Sequence, residues 1–157
     1  MSIRSRLDRV TLRIADALQR DGRRSSQQLA DAVGLSATPV WRRVKELEAD
    51  GVIRGYVALL DREKLGLSIC VLAHVSLVRH SEGAVEQFEA MVRASPEIME
   101  CHSTTGEGDY IVKVVAPDMK AYDRFLQDKV FKTPGVANVR SSVVLREVKY
   151  ETALPLE

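Results

Sequence analysis

Three basic side chains lie close together in a segment that begins like a helix. Arg42, Arg43 and Lys45 fall within the ten residues that start at Ser36, a stretch without any acidic residue. Ser36 is a typical N-cap residue, and Pro39 is tolerated in a first turn whose amides lack helical partners. The free amides and the dipole at a helix N-terminus also attract anions. The segment is therefore predicted to bind a phosphate backbone.

The same segment predicts which side chains face outward. Val40, Val44 and Leu47 form one apolar stripe at helical spacing, which leaves the other faces free. The candidate DNA-contacting residues are Ser36, Thr38, Pro39, Trp41, Arg42, Arg43 and Lys45. For Trp41, a partly buried anchor is an equally good interpretation. A basic helix is more often only a solvated face, so the prediction depends on the elements around it.

Two further helices are predicted ahead of this segment. The first is indicated by apolar residues at helical spacing: Leu7, Val10, Ile14 and Leu18. Asp8 is placed to cap that helix, Ser25 and Gln28 fit a capping box for the second, and Gly34 ends the second. Three helices with a glycine-containing turn between the last two form a helix-turn-helix domain. In that motif the N-terminal residues of the last helix meet base edges in the major groove.

The charge distribution divides the chain into two parts. Residues 1–60 carry 11 Lys and Arg against 7 Asp and Glu, whereas 61–157 carry 12 against 15. This asymmetry favours a nucleic-acid-facing domain over 1–60, a charged junction over 61–66 and a second domain over 67–157. Residues 52–60 are predicted to form a strand that is broken at Arg54-Gly55, either a small wing or a strand leading out of the first domain.

The second domain is predicted to have the order βαββαβ. Alternating apolar residues and turn signals indicate strands over 67–78, 98–105, 110–115 and 136–148. The two helices are predicted to begin at Ser81 and at Pro117-Asp118. The chain as a whole is therefore α+β, with a three-helix winged helix-turn-helix followed by a ferredoxin-like domain whose helices cover one sheet face. The other face is partly apolar and predicts a homodimer.

Residues with catalytic or metal-binding chemistry do not form a recognisable constellation. The histidines are scattered over the predicted second domain: His74, His80 and His102. Cys101 and His102 point to opposite faces of a strand, so they cannot form a nucleophile–base pair. Cys70 and Cys101 lack C-x-x-C spacing, and Gly106-x-Gly108 lies between strands rather than before a helix. No catalytic residue, metal site or cofactor is predicted.

Seven short motifs occur along the chain in a fixed order: Leu7-Asp8, Gly34-Leu-Ser-Ala-Thr-Pro39, Arg43-Val-Lys-Glu-Leu-Glu48, Gly51-Val-Ile-Arg-Gly-Tyr56, Gly106-Glu-Gly-Asp-Tyr110, Pro117-Asp-Met119 and Pro134-Gly-Val136. In this order and spacing the sequence resembles the leucine-responsive/asparagine regulator family (Lrp/AsnC) of bacterial and archaeal transcription factors. The resemblance implies an N-terminal helix-turn-helix, a C-terminal βαββαβ ligand-sensing domain, and dimers that assemble into octamers. The sequence departs from the family pattern at Thr11 and Glu107, where Asp is usual.

The resemblance also implies a binding site for an amino-acid effector where the second domains of neighbouring dimers meet. The matching positions are Gly106, Asp109 and Tyr110 in a turn, with Met119, Phe131, Thr133 and Val143 as walls. Glycine amides can take the effector carboxylate, and Asp109 can hold its ammonium group. From the residues alone, the alternative is that Asp109 only stabilises the turn and that Met119 and Phe131 belong to the core.

Together these features predict a sequence-specific regulator that binds double-stranded DNA and responds to an amino acid. A nucleoid-organising or RNA-binding protein without base readout is one alternative, and a small βαββαβ enzyme is another. No window approaches the ~20 apolar residues of a membrane-spanning helix, so we expect a cytoplasmic protein without membrane contact. A dimer would place two helices in successive major grooves of a pseudo-palindromic operator.

Overall fold

Local capping interactions set the boundaries of the first two of three N-terminal helices in the computed structural model, which describes residues 7–78 and 83–156. The three helices are α1 (Arg9–Arg20), α2 (Ser26–Val33) and α3 (Ala37–Ala49). Asp8 accepts a hydrogen bond from the Thr11 amide at 2.7 Å, and Ser25 forms a reciprocal capping box with Gln28. Gly34 ends α2 in the left-handed conformation, with φ at 73°. The predicted caps at Asp8, Ser25 and Gly34 are therefore confirmed, whereas Ser36 occupies the N-cap position of α3 without a side-chain hydrogen bond.

The three helices enclose a small apolar core. Ile14 and Leu18 of α1, Leu29 of α2 and Val40 of α3 are buried in it, and Leu47 is also buried. Packing of the Val40 side of α3 against α1 and α2 leaves the opposite side of α3 exposed, as the apolar stripe predicts.

The predicted strand over 52–60 is wrong. Residues 54–60 have no regular secondary structure, although Ile53 donates its amide to the Leu47 carbonyl and packs on the helical core. The Tyr56 hydroxyl donates a hydrogen bond to Glu48 Oε1 at 3.1 Å. A strand exists only when its backbone pairs with a neighbour, and within the described residues no segment pairs with 54–60. Val57 and Leu60 are consequently exposed.

The chain forms two compact units. The first contains the described residues up to Leu59 and also the segment from Lys149 onward, whereas the second spans Leu60–Val148. The segment 149–156 thus groups with the helical head in the structure. The contacts responsible connect this segment to α1 and are described below.

The second unit contains β1 (Ile69–Leu77), α4 (Ala84–Ala94), β2 (Ile98–Ser103), β3 (Tyr110–Ala116), α5 (Met119–Phe125), a π-helical segment (Leu126–Val130) and β4 (Val136–Val143). Its strands form an antiparallel sheet in the order β2-β3-β1-β4. The predicted βαββαβ order is confirmed. The predicted start of the first helix at Ser81 lies outside the described residues, and α4 begins after Gly83.

One face of the sheet carries the core of this unit. Val71, Ala73 and Val75 of β1 are buried against Phe88 of α4 and Phe125 of α5. The predicted last strand is too long, because β4 ends at Val143 instead of residue 148. Its partner β1 begins at Ile69 and pairs Val71 with Val143, so residues beyond 144 have no strand to pair with.

Candidate functional site

The outer face of α3 carries most of the candidate DNA-contacting residues. Ser36, Thr38, Trp41, Arg42 and Lys45 are exposed; the exposed fraction is 54% for Trp41 and 73% for the Arg42 side chain. Pro39 is half-buried in the first turn. The structure therefore brings together six of the seven predicted residues at the outer side and N-terminus of one helix.

The N-terminus of α3 has free polar groups. Ser36 occupies the N-cap position with extended backbone geometry, yet its side chain makes no capping hydrogen bond. The amides of a first helical turn have no partner within the helix. The Ser36 hydroxyl and these amides are therefore available together to a phosphate oxygen.

Arg43 occupies a different environment from the other basic residues of α3. Its Nη1 donates to Asp8 Oδ2 at 2.7 Å and also to the Thr11 hydroxyl, and its side chain is only 26% exposed. The guanidinium thus joins α3 to the first turn of α1. The prediction that Arg43 contacts DNA overlooked this partner, which lies 35 residues earlier in the chain.

The exposed cations of α3 also have acidic neighbours, but these pairs are solvated. Lys45 Nζ lies 2.7 Å from Glu48 Oε2, and Arg42 Nε lies 3.6 Å from Glu46 Oε1. Exposed pairs of this kind contribute little stability and are easily exchanged for another anion. Arg42 and Lys45 can therefore leave their partners for DNA at little cost.

Asp8 is the acceptor on which the contacts between α1 and α3 converge. Hydrogen bonds from the Thr11 amide and the Thr11 hydroxyl, and then from the Arg43 guanidinium, lower the pKa of Asp8 to about 2. Thr11 is itself buried. Thr11 therefore supplies a neutral hydroxyl to this cluster, which we call the Asp8 cluster (Asp8, Thr11 and Arg43).

In the second unit, the turn that contains Gly106 and Asp109 is tied to the end of β1. Asp109 Oδ2 accepts a hydrogen bond from the Leu77 amide at 2.7 Å, and the Asp109 amide donates to the Val75 carbonyl at 3.0 Å. Gly106 has φ at 146°, a value that L side chains rarely adopt. Asp109 is exposed, so its carboxylate both stabilises the turn and faces solvent.

Glu107 in the same turn pairs with a residue of β4. Its Oε2 accepts a hydrogen bond from the Arg140 guanidinium, and this bond lowers the pKa of Glu107. Arg140 lies opposite His74 in the β1–β4 register. Glu107 is therefore engaged with a residue on the sheet face opposite the helices.

Tyr110 lies in the core instead of lining an open site. Its ring packs against Phe88 with 4.8 Å between the ring centroids, and its hydroxyl donates to Glu89 Oε1 at 3.2 Å. Tyr110 shares a face of β3 with the buried Val112 and Val114, as the two-residue period of a strand requires. Tyr110 thus supports the turn from beneath, and this period is the signal that could have revealed its position.

The other predicted effector residues lie at two ends of the sheet. The turn at Asp109 and the loop after Thr133 both adjoin the end of β1, where the Val78 amide donates to the Gly135 carbonyl. Met119 follows the far end of β3, and Val143 pairs with Val71 near the start of β1. The seven residues of β3 separate these ends by roughly 20 Å. One copy of the chain therefore does not bring all seven residues together.

Exposed apolar side chains occur at both ends: Met119, Phe131 and Val143. The Thr133 hydroxyl donates to the Lys129 carbonyl at 2.8 Å and is partly buried. Over residues 7–78 and 83–156 no group of three or more His, Cys, Asp or Glu side chains is arranged to hold a metal ion. In the same ranges no helix combines the length and the apolar character needed to cross a membrane.

Comparison with known proteins gives matches over nearly the full length. The family profile described as "Lrp/AsnC ligand binding domain" matches residues 70–154, and the profile described as "Winged helix-turn-helix DNA-binding" matches residues 7–54. The leucine-responsive regulatory protein of Salmonella typhimurium is 42% identical over 96% of this chain and 92% of its own. The DNA-binding transcriptional activator DecR of Escherichia coli is 40% identical over 96% of this chain and 99% of its own.

Two solved structures share the fold at similar identity. A transcriptional regulator from Neisseria meningitidis in complex with L-Met has a TM-score of 0.92 and 39% identity, and the match covers 96% of this chain and 97% of that chain. An AsnC family transcriptional regulator from Agrobacterium tumefaciens has a TM-score of 0.89 and 38% identity, with the same coverage of both chains.

The Asp8 cluster makes a testable contribution to the stability of the head. Asp8→Asn keeps an N-cap acceptor but removes the charge, so it should lower the thermal midpoint at pH 7. A carboxylate with a lowered folded-state pKa stabilises above its unfolded pKa of ~3.9 and loses that effect as pH falls through the folded value. The difference from wild type should therefore shrink between pH 4 and pH 2, since the folded pKa is about 2.

Circular dichroism melts from pH 2 to pH 7 measure this difference. Asp31→Asn is the matched control, because Asp31 accepts a hydrogen bond from Gln27 on its own helix and lies outside the Asp8 cluster. An Asp8→Asn difference of the same size at pH 2 and pH 7 would contradict the prediction.

Proposed function

The chain belongs to the Lrp/AsnC family of transcription regulators, and on that premise we propose that α3 reads the operator while the second unit binds the effector between copies. It is a DNA-binding transcription regulator with an amino-acid-binding domain, and it is not an enzyme. We further propose that it acts in the cytoplasm on bacterial operators.

The observation that carries the DNA proposal is the exposed cationic face of α3. Arg42 is largely exposed, so its guanidinium can donate two hydrogen bonds to the O6 and N7 atoms of a guanine. Thr38 and Trp41 flank it on the same exposed side and can contact a thymine methyl or a sugar. Lys45 and the N-terminal amides of α3, with Ser36, fit the adjacent phosphates.

We assign Arg43 a positioning role instead of base contact. A guanidinium that bonds Asp8 and Thr11 would have to break both interactions to reach a base. Retaining the bonds to Asp8 and Thr11 fixes the orientation of α3 relative to α1. Pro39, half-buried in the first turn of α3, is proposed to shape the backbone that approaches DNA and to contact it through van der Waals packing.

A homodimer that assembles into a higher oligomer, an octamer in our proposal, completes the regulator. The sheet face opposite the helices is not covered within the described residues of one chain. Leu72 at the centre of β1 is 40% exposed on it, next to the pair of Lys113 and Glu100. Burying this face against a second copy would remove apolar surface from water. Two heads would then meet half-sites about one helical turn apart.

The effector in our proposal is an amino acid, with L-methionine the first candidate because the Neisseria meningitidis relative is in complex with L-Met. The Leu77 amide orients the Asp109 carboxylate through Oδ2, which leaves Oδ1 for the effector ammonium. Gly106 offers a backbone that a carboxylate can approach, and Tyr110 supports the turn. Met119, Phe131, Thr133 and Val143, drawn from more than one copy, are the proposed walls.

Replacement of the two arginines separates DNA reading from positioning. Arg42→Ala should weaken operator binding by about 1–3 kcal/mol without lowering the thermal midpoint of the head. Arg43→Ala should lower that midpoint, because Asp8 loses its cationic partner. Fluorescence anisotropy on the DNA upstream of the protein's own reading frame, together with thermal melts, provides the measurement.

Arg93→Ala is the matched control for Arg42→Ala, since both arginines pair with a glutamate one helical turn away. Its operator affinity should equal that of wild type. Unchanged affinity in Arg42→Ala would remove α3 from the proposed interface. Equal affinity for operator and random DNA in the wild type would favour the alternative of a nucleoid-organising protein.

Removal of the Asp109 charge tests the effector site. Asp109→Asn keeps an acceptor for the Leu77 amide but loses the charge for an ammonium group, so L-methionine should bind about tenfold more weakly or worse. Isothermal titration calorimetry provides the dissociation constants. Glu107→Gln in the same turn is the control, because that carboxylate already bonds Arg140; an equal loss in both variants would argue against a specific role for Asp109.

A charge on the uncovered sheet face tests the dimer. Leu72→Asp should yield monomers in size-exclusion chromatography with light scattering, because burying a carboxylate in the interface is costly even beside Lys113, which already pairs with Glu100. Val85→Asp places the same charge on an exposed position of α4 and should leave the oligomer unchanged. A dimeric Leu72→Asp variant would place the interface elsewhere.

A further inference from the structure

The segment after β4 contacts the first helix of the head through the side chain of Gln19. Gln19 Nε2 donates to the Leu154 carbonyl at 2.8 Å, and Gln19 Oε1 accepts from the Leu154 amide at 2.8 Å. The side-chain amide of Gln19 thus satisfies both the backbone N–H and the backbone carbonyl of Leu154. This arrangement imitates the paired bonds between two strands and fixes the segment in one register on α1.

Both partners of this contact are held in place by their neighbours. Gln19 Nε2 also donates to Asp16 Oδ1 at 2.9 Å, and Asp16 bonds Arg20 on the same helix. On the other side, the Ala153 amide donates to Glu151 Oε1 at 2.9 Å. Local hydrogen bonds therefore orient the Gln19 side chain on α1 and the backbone next to Leu154 in the segment.

The segment that contacts α1 follows closely after the last strand of the second unit. The chain leaves the head after Leu59, forms the second unit over Leu60–Val148, and rejoins the head unit at Lys149. The last residue of β4 is Val143, a proposed wall of the effector site. Only five residues separate Val143 from Lys149, so these two residues lie at most ~20 Å apart. A shift of the end of β4 would therefore reach the segment through a short stretch of chain.

α1 itself connects this segment to the DNA-reading helix. Gln19 lies in the last turn of α1, whereas Thr11 lies in its first turn and bonds Arg43 of α3. A single rigid helix of 12 residues therefore carries the segment at one end and α3 at the other. A movement at Gln19 would therefore act on the Asp8 cluster through this helix.

We propose that residues 149–156 form a strap that couples effector binding in the second unit to the position of α3. The proposal rests on the proposed effector site, of which Val143 is a wall. Two neutral hydrogen bonds from Gln19 dock the strap together with a weaker charge interaction between Arg20 and Glu151, and the Leu154 side chain remains exposed. Docking of this kind is weak enough for a ligand to shift between docked and released states.

The contact can be broken without touching the effector site or the DNA-reading face. Gln19→Ala removes both side-chain partners, and Leu154→Pro removes the amide donor while leaving Gln19 intact. Leu154→Ala is the matched control, because the contact uses only the backbone of Leu154. Hydrogen–deuterium exchange of the peptide covering 149–156 should increase in the first two variants and remain at the wild-type level in the control.

The functional readout is the ratio of operator dissociation constants measured with and without saturating L-methionine. In Gln19→Ala and Leu154→Pro this ratio should lie within a factor of about two of 1. In Leu154→Ala it should keep its wild-type value. By linkage, the operator should then no longer change the affinity for L-methionine in the two breaking variants. Operator affinity without methionine and methionine affinity without DNA report separately that both sites are intact.

The outcomes distinguish the strap from the effector site. A ratio that survives unchanged in both breaking variants overturns the strap and leaves the effector site standing. Equal exchange of the segment in wild type and Gln19→Ala also overturns the strap. Absence of methionine binding to the wild type in calorimetry would refute methionine as effector, and exchange then decides whether the strap docks.

Discussion

The hydrogen-bonded ion pair between Arg43 and Asp8 is the contact on which the presentation of α3 depends. A helix that reads a groove needs one face free and its axis fixed, and a core of a few apolar side chains restrains its rotation only loosely. Arg43 adds a charged contact to the first turn of α1, reinforced by the buried Thr11. The partial burial of its side chain makes this pair stronger than the solvated pairs of Arg42 and Lys45. Arg43 of the basic segment therefore stabilises the packing of α3 on α1.

The features that the sequence predicted well are those determined by neighbours along the chain. Helix ends at Asp8, Ser25 and Gly34 follow from caps within three or four residues, and the buried face of β1 follows from strict alternation. The strand predictions over 52–60 and 144–148 failed because strand formation requires a partner backbone, which no local pattern supplies. The return of 149–156 to α1 depends on a glutamine 135 residues away, and it too left no local signal.

The candidate sites divide along the same line. The exposed face of α3 could be read from the stripe of Val40 and Leu47, because helical periodicity fixes both faces at once. The bond between Arg43 and Asp8 left no local signal, since these residues lie 35 positions apart in the chain. The position of Tyr110 was readable from the two-residue period it shares with Val112. The separation of the effector residues between two sheet ends follows from topology, and the assembly that would unite them involves other copies of the chain.

α1 has a central part in any coupling between these sites. Its first turn holds α3 and its last turn holds the strap, so it touches both without contributing a residue to the DNA-reading face or the effector site. Allosteric couplings are typically 1–3 kcal/mol, about the net contribution of two ordinary hydrogen bonds. The Gln19 contact with Leu154 is therefore of the right strength: a much stronger contact would stay docked in every state, and a much weaker one would transmit nothing.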